Sequence, residues 1–447
     1  MGKNRAIRSA VLICLCFLLT SMGWLSWEYH LLSQAAPRTS DICTMIAGYL
    51  LQAAGIGLFA LLLRRRPQAA RRCFCAALPL HLVFMAPAVL SPYSAGTLIF
   101  GFLMNLSCGV IAGYYLYDLA RNVDGPHKAA AFGAGYGAAI LVQWILSLTV
   151  PSLYYSGYVL IFCLLLTGAA FFTDRTGKEA GGPAEGEHAA GSVSPGLLRP
   201  VCLLVLLFSV VNGSGFAFPS ADLGGAVSVE LFRLIYAAGL IIAGAVTDRN
   251  RKYGAMCALI ALLLPFIILA LRGQKTAAAI FWGLSYFAFG FYAVYRIVVF
   301  SDLAAEKKAF WLSGFGLMIG RVGDAVGEAL CLALEHRMIG LICLSAALFA
   351  ATVLVFFRVY HLLYVPEYRQ EQSEKERFFA FAAQHDLSAR EREIMTLLLE
   401  GKTNKEIGDG LFISENTVKF HVRNLLQKTG CRNRNELVMS YMGKNET

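Results

Sequence analysis

Between residues 414 and 434 the chain carries five basic side chains, Lys419, Arg423, Lys428, Arg432 and Arg434, against the single acid Glu415, a local charge of +4. That balance suits contact with a phosphate backbone. On a helix, Asn416, Lys419, Phe420 and Arg423 share one face, while Val418, Val422 and Leu425 turn the other way. A basic face with one amide and one aromatic can enter a DNA groove. A second group lies inside an apolar stretch. Arg321, Asp324 and Glu328 stand at i, i+3 and i+7 and share a helix face. Charges at membrane depth are costly and face a bundle interior or an aqueous cavity. Two readings stay open: an internal Arg321–Asp324 pair that locks helices, or a stripe lining a cavity that takes a small-molecule ligand or a proton. Arg296, one apolar stretch earlier, is placed to face this group and to partner Glu328. The spacings Gly316/Gly320 and Gly323/Gly327 allow close helix approach.

The remaining polar residues point away from catalysis. The sequence has no Gly-rich phosphate loop and no Ser/His/Asp arrangement. Most of the twelve Cys lie in apolar runs, as do Cys14, Cys16, Cys108 and Cys163, and Cys73 and Cys75 are too close to each other for a metal pair. No enzyme activity, metal or cofactor is expected. His81, Asn105, Gln143 and Asn212 read as hydrogen-bonding groups between helices.

The elements that must position these residues follow from composition. Of 447 residues, 57% are hydrophobic and 15% charged, where a soluble domain carries roughly 25% charged. The excess sits in repeated runs of about 20 residues, the length that crosses a bilayer core. Twelve spans are expected near 8–28, 40–63, 73–90, 97–119, 129–150, 152–172, 200–219, 229–247, 255–271, 276–300, 310–333 and 338–362. The first resembles a signal peptide at its start, but its apolar run continues to Trp27, and Trp24, Trp27 and Tyr29 suggest an interfacial anchor on an uncleaved helix. With the N-terminus inside, eighteen Lys and Arg fall in inside segments and Arg38, Arg272, Lys275 and Arg337 outside. The positive-inside rule therefore places both termini in the cytoplasm.

Beyond residue 366 the character changes. Ser388–Glu391 and Thr403–Glu406 have the spacing of capping boxes, Asn433–Glu436 is an Asn version, and Ser414 precedes Glu415 as an N-cap. Gly401 and Gly430 stand where helices should end. Four short helices are expected, about 388–400, 403–411, 414–429 and 433–441.

Two resemblances attach to these residues. The pattern Leu387-Ser-x-Arg390-Glu391-x-Glu393-Ile394, Gly401-x-x-Asn404-Lys405-Glu406-Ile407, Leu411-x-Ile413-Ser414-x-x-Thr417-Val418-Lys419-x-His421-Val422 and Arg432-x-Arg434-x-Glu436 resembles the LuxR-type (NarL/FixJ C-terminal) DNA-binding domain. The resemblance implies that Lys419, Phe420 and Arg423 face base edges. Asn404, Lys405, Thr417, His421 and Arg434 would touch phosphates or hold the domain together, and the fourth helix would supply a dimer contact. Six spans, a Gly- and Pro-rich stretch at 173–199 and six more resemble the major facilitator superfamily. So does the loop from Gly244 through Asp248, Arg249, Arg251 and Lys252, whose Asp can cap or pair with neighbouring helix ends. The matching first-half loop has the Arg cluster without the Asp.

The expected fold is all-α: a polytopic transmembrane helical bundle of about 12 spans (6+6) plus a C-terminal four-helix helix-turn-helix domain. The expected limits are 1–365 for the membrane domain (halves about 1–172 and 200–365), 366–386 for a linker, whose charged part Glu367–Arg377 reads as a linker or a helical stalk, and 387–447 for the DNA-binding domain. The expected function is a membrane-tethered one-component transcriptional regulator in a bacterial cell membrane. It would bind a two-fold site on double-stranded DNA as a homodimer, under control of a signal sensed in the bilayer. The alternative is a facilitator-type transporter with a regulatory DNA-binding tail.

Overall fold

The computed structural model describes residues 2–33, 38–92, 95–149, 158–176, 191–223, 229–271, 274–334 and 337–442. The described residues divide between two compact units, Met1–Tyr360 and His361–Thr447. All regular structure among them is helical.

The first unit contains α1 (Gly2–Ser33), α2 (Arg38–Arg65), α3 (Ala69–Leu90), α4 (Ala95–Asn122), α5 (Lys128–Thr149) and α6 (Tyr158–Thr176). It continues with α7 (Pro195–Leu223), α8 (Val229–Arg249), α9 (Arg251–Ala261), α10 (Leu264–Ala270), α11 (Lys275–Glu306), α12 (Phe315–Ala333) and all but the last four residues of α13 (Met338–Tyr364). Among the described residues, eleven spans are long and apolar enough to cross a membrane. The expected eleventh span, 310–333, is α12, an otherwise apolar helix that Arg321, Asp324 and Glu328 interrupt. The ninth span is broken between α9 and α10. Pro265 lacks an amide hydrogen, and its ring opposes the carbonyl four residues back. Of the stretch expected as a linker, residues 177–190 lie outside the described residues, 173–176 complete α6, and α7 begins at Pro195.

Between the halves, α5 packs on α8 and α2 on α12. Close approach depends on missing Cβ atoms. One added at Gly133 would meet the α8 backbone at Leu240 and Gly244, and one at Gly323 would meet Ser209 of α7. In α12 the Gly spacing serves two neighbours, since Gly316 and Gly320 lie against Arg296 of α11. Small residues let such helices touch backbone to backbone.

Ion pairs bind the helix ends that carry the basic loops. Asp248 accepts from the backbone amides of Ala129 (2.9 Å) and Ala130 (2.7 Å), capping the start of α5, and also pairs with Arg251 at 2.7 Å. Arg251 reaches Asp302 at 2.9 Å. The first half lacks the loop Asp, and its carboxylates come from elsewhere: Arg71 pairs with Asp174 and Arg8 with Asp118, both at 2.6 Å.

The expected aromatic anchor on α1 is corrected. Trp27 is 1% exposed and packs against Phe102 and Gly101, and Trp24 turns inward to stack on Tyr49. An indole near a span's end suits a headgroup region, but here both rings lie on the bundle side of the helix.

Candidate DNA interface and membrane cavity

The second unit is built on local backbone chemistry. Its helices are α14 (Pro366–Gln384), α15 (Ala389–Leu399), α16 (Asn404–Leu411), α17 (Glu415–Thr429) and α18 (Arg434–Met442). Ser388 with Glu391 and Thr403 with Glu406 form complete capping boxes, and Ser414 caps α17 through the amide of Thr417. Asn433 accepts from the amide of Glu436 at 2.9 Å. Gly401 and Gly430 take φ of +85° and +71°, the left-handed conformation that ends a helix without a Cβ penalty. The turn between α16 and α17 uses Phe412 at φ +56°, with its ring 95% exposed. Ile394, Met395, Leu398, Ile407, Val418, Leu425 and Leu437 form the core. The segment expected as a linker is α14, and its last turns lay Phe378, Phe381 and Ala382 on that core.

One buried ion pair ties the first helix of the motif to the third. The Glu391 carboxylate, 5% exposed, accepts from Lys428 Nζ at 2.8 Å and from the Ser388 amide at 2.8 Å. Burial alone would raise its pKa, but the bonds from Lys428 and Ser388 outweigh that and hold it below the ordinary 4.5. A depressed carboxyl pKa adds stability that is present above 4.5 and is lost as the pH falls through the lower folded value. Glu391→Gln should therefore destabilise residues 361–447 by about 1–2 kcal/mol at pH 7, at the lower end because solvent screens the half-exposed Lys428. It should also flatten the loss of stability below pH 4.5. Urea unfolding from pH 3 to 7 checks this, and an unchanged acid limb would remove Glu391 as its source.

The outward face of α17 presents Asn416, Lys419, Phe420 and Arg423, all exposed, with Phe420 60% exposed. Lys419 is held by Glu415 at 2.8 Å, one turn back, a weak pair that DNA phosphates can replace. Lys405 is exposed on α16, and Asn404 opens that helix half-buried. The hydroxyls of Thr417 and Ser414 lie 2.7 Å apart, and His421 packs edge-on against Phe420. Arg434 stands apart from this face. Its guanidinium donates to the carbonyls of Lys402 (2.7 Å) and Leu398 (2.9 Å), tying α18 to the end of α15.

In the membrane unit the ionisable stripe of α12 splits. Asp324 reaches Arg296 of α11 at 3.4 Å and Arg321 only at 3.9 Å. Arg296 also donates to the Tyr292 hydroxyl at 2.9 Å. Arg321 turns toward α2, its guanidinium 5.0 Å from the Tyr49 ring centre. There it lines a cavity of about 260 Å³ walled by α1, α2, α4, α5, α8 and α12. Gln52, Gln143, Tyr115, Tyr136, Arg233 and Tyr236 also line it. Sequence reasoning missed Arg233 and Tyr49, which carry no spacing signal; only the bundle brings them to Arg321. Among the expected interhelical polar groups, Asn105 accepts from Gln52 at 2.7 Å and His81 bonds Ser107 at 2.9 Å, while Gln143 faces the cavity.

A scaffold helix, a tight turn and a basic exposed helix define a helix-turn-helix DNA-binding module, here in one chain with a multi-pass membrane bundle. Residues 385–441 match the model of the bacterial regulatory proteins, luxR family, and the chain belongs to that family through this domain. It is similar to the spore germination protein GerE of Bacillus subtilis, 45% identical over 60 residues that make up 13% of this chain and 81% of that protein. It is also similar to the transcriptional regulatory protein LiaR of Bacillus subtilis, 52% identical over 50 residues, 11% of this chain and 24% of that one. The chain thus spans most of GerE but about a quarter of LiaR. The membrane unit has the fold seen in the crystal structure of the human organic anion transporter MFSD10, with a TM-score of 0.56 at 14% identity over 80% of this chain and 98% of that one. The chain therefore joins a luxR-family DNA-binding domain to a bundle of major facilitator fold.

Proposed function

We propose that this protein is a membrane-tethered one-component transcriptional regulator whose bundle, within about 1–365, senses a signal and whose 387–447 domain binds DNA as a dimer. The observation that carries this reading is the exposed face of α17, with Lys419, Phe420 and Arg423 side by side. In this reading those three side chains meet base edges, with Asn416 beside them. Lys405, Asn404, Thr417 and His421 meet or support the phosphate backbone, and Arg434 holds α18 in place for a dimer contact across a two-fold operator. Genome-wide occupancy of the tagged full-length protein tests it: discrete two-fold sites are expected, and they should vanish when Lys419 and Arg423 are both replaced by Ala. Uniform background occupancy would overturn it.

The reading needs both termini in the cytoplasm. The ion-paired helix ends that carry Arg8, Arg71 and Arg251 support that orientation. Single cysteines introduced at 185, 370 and 445, in a chain whose native cysteines are replaced, should resist an impermeant thiol reagent in intact cells and react after lysis. Labelling of any of them from outside would sink the orientation. A second reading, a transporter with a regulatory tail, draws on the likeness to a transporter fold. Substrate accumulation in vesicles driven by the protein would favour it.

A further inference from the structure

A set of soft donor atoms lies inside the first half, away from the cavity between the halves. His81 and Met85 stand one turn apart on α3, and both are fully buried. Met104 of α4 is equally buried, and Gly23 of α1 faces all three. A Cβ placed on Gly23 would lie 3.0 Å from His81 Nε2, 3.3 Å from Met104 Sδ and 3.4 Å from Met85 Sδ. The missing methyl leaves a cradle on which one nitrogen and two sulfurs converge. None of these four residues lines the cavity around Arg321. The imidazole's tautomer follows from its other nitrogen. Ser107 Oγ donates to the Met104 carbonyl at 2.6 Å, so it accepts from His81 Nδ1, 2.9 Å away. The proton therefore sits on Nδ1, and Nε2 turns a bare lone pair toward the thioethers. Nε2 is buried with no hydrogen-bond partner among the described residues. A thioether has no proton to offer it, and the carbonyls of Met104 and Leu19 near the ring are themselves acceptors. A buried polar atom left in this state is costly and calls for a partner.

We infer that His81, Met85 and Met104 form a binding site for a soft monovalent cation, Cu(I) or its analogue Ag(I). Thioether and imidazole are ligands that select such an ion. All three are neutral, so the ion brings a single charge into the bundle, where a divalent ion would bring two. Among the described residues no three His, Cys, Asp or Glu side chains gather, so the oxygen-rich set that a hard cation needs is missing there. Bonds of about 2.0–2.3 Å require the donors to close in by about 1 Å. The rotatable bonds of methionine allow that movement without displacing a helix. The Ser107 bond to Nδ1 is the kind of outer contact that orients a ligating imidazole. Cysteine spacing offered no metal pair in the sequence; the sulfurs here belong to methionines on two helices. A bound ion would join α3 to α4 against α1, within one half of the bundle. The inference is independent of DNA binding and goes beyond the regulator reading.

The test uses the purified full-length protein in detergent, reduced and free of oxygen, with its reachable thiols capped by N-ethylmaleimide. Cu(I) is supplied as its coloured bicinchoninate complex, whose absorbance falls as the protein takes up the ion. Cysteines also bind Cu(I), so the reading is a difference between chains that keep all twelve. The parent should take up one more Cu(I) per chain than the Met85→Leu/Met104→Leu double variant, in which Leu nearly preserves the volume of Met. Gly23→Ala should lose the same ion with every ligand still present, because its methyl occupies the cradle. Zn(II) should show no difference between parent and double variant. X-ray absorption at the copper edge, with Cu(I) limiting, should show one imidazole nitrogen with two sulfurs in the parent and lose that signature in the double variant. Equal copper uptake by all three chains, an equal difference for Zn(II), or copper bound in the parent by sulfur alone would overturn the inference. Each variant is first matched to the parent in gel-filtration profile and in thermal unfolding without metal. If the double variant does not fold, Gly23→Ala and the X-ray absorption of the parent still decide.

Discussion

Arg423→Ala and Lys419→Ala are each expected to lower affinity for the operator about 5–150-fold, the equivalent of about 1–3 kcal/mol. Both side chains are exposed on α17, and neither is a member of the domain's hydrophobic core. Their loss is therefore expected to lower DNA affinity and to leave the unfolding midpoint of residues 361–447 unchanged. Among the described residues Lys419 is paired with the exposed Glu415 of its own helix, a weak pair, so under the proposed reading its release to a guanine edge or a phosphate should cost little. Lys405→Ala should behave differently, weakening all sequences alike and lowering the salt dependence by about one phosphate contact. Arg434→Ala is a useful contrast. Its guanidinium is engaged by the carbonyls of Lys402 and Leu398, so its loss should lower the unfolding midpoint along with DNA affinity. The fragment for these measurements should start at 361, because Phe378 and Phe381 pack on the domain core. Fluorescence anisotropy on an operator and a scrambled duplex reads all four variants. Unchanged preference between the duplexes in both Arg423→Ala and Lys419→Ala would dismiss α17 as the reading helix.

The second large effect is expected at Asp324. Its carboxylate stands 3.4 Å from Arg296 and 3.9 Å from Arg321, so it joins α12 to α11 and lies beside the cavity-lining arginine. Breaking a buried pair by removing one partner costs about 3–5 kcal/mol, because the remaining charge is left uncompensated. In a bundle with two packings, a bias of about 3 kcal/mol shifts their ratio roughly 150-fold. Asp324→Asn should therefore lock target expression high or low, without changing DNA binding by residues 361–447. Helix α13 follows α12 in the chain and leads through α14 to the DNA-binding helices, so a change in bundle packing has a covalent path to them. Glu328→Gln, one turn further along the same helix, should shift output in the same manner but less. Reporter output per folded protein is the quantity to measure. Normal, still-inducible output from both variants at normal abundance would take the stripe out of the mechanism, and low abundance with normal output per molecule would make it purely structural.

The DNA-binding domain could be read in advance almost residue by residue. Helix starts and stops there depend on neighbours in sequence: a Ser or Thr hydroxyl and a Glu three residues on, a Gly that tolerates positive φ. Those interactions need nothing distant, and the helices begin and end within a residue or two of where the caps place them. The spans were legible for a similar reason, since bilayer thickness sets their length. The inward turn of Trp27 was not legible. An apolar helix in lipid can bury any of its faces, and only its neighbours select one.

The sequence by itself determined the helices, their order, the basic face of α17 and the presence of charges inside the bundle, because each follows from local backbone chemistry or from the cost of exposing apolar surface. Tertiary structure alone decided which charge meets which. The i, i+3 spacing suggested an Arg321–Asp324 pair, yet Arg296 of α11 comes closer to Asp324 and Arg321 turns to Tyr49 and the cavity. Likewise the stretch 366–386, whose charged part 367–377 could be a linker or a helical stalk, is α14, and its last turns find in Phe378, Phe381 and Ala382 contacts with a core built by residues further along the chain. In both cases the deciding contact joins residues on different helices, and the free energy of such a contact depends on where packing has placed the partner, which no local spacing records.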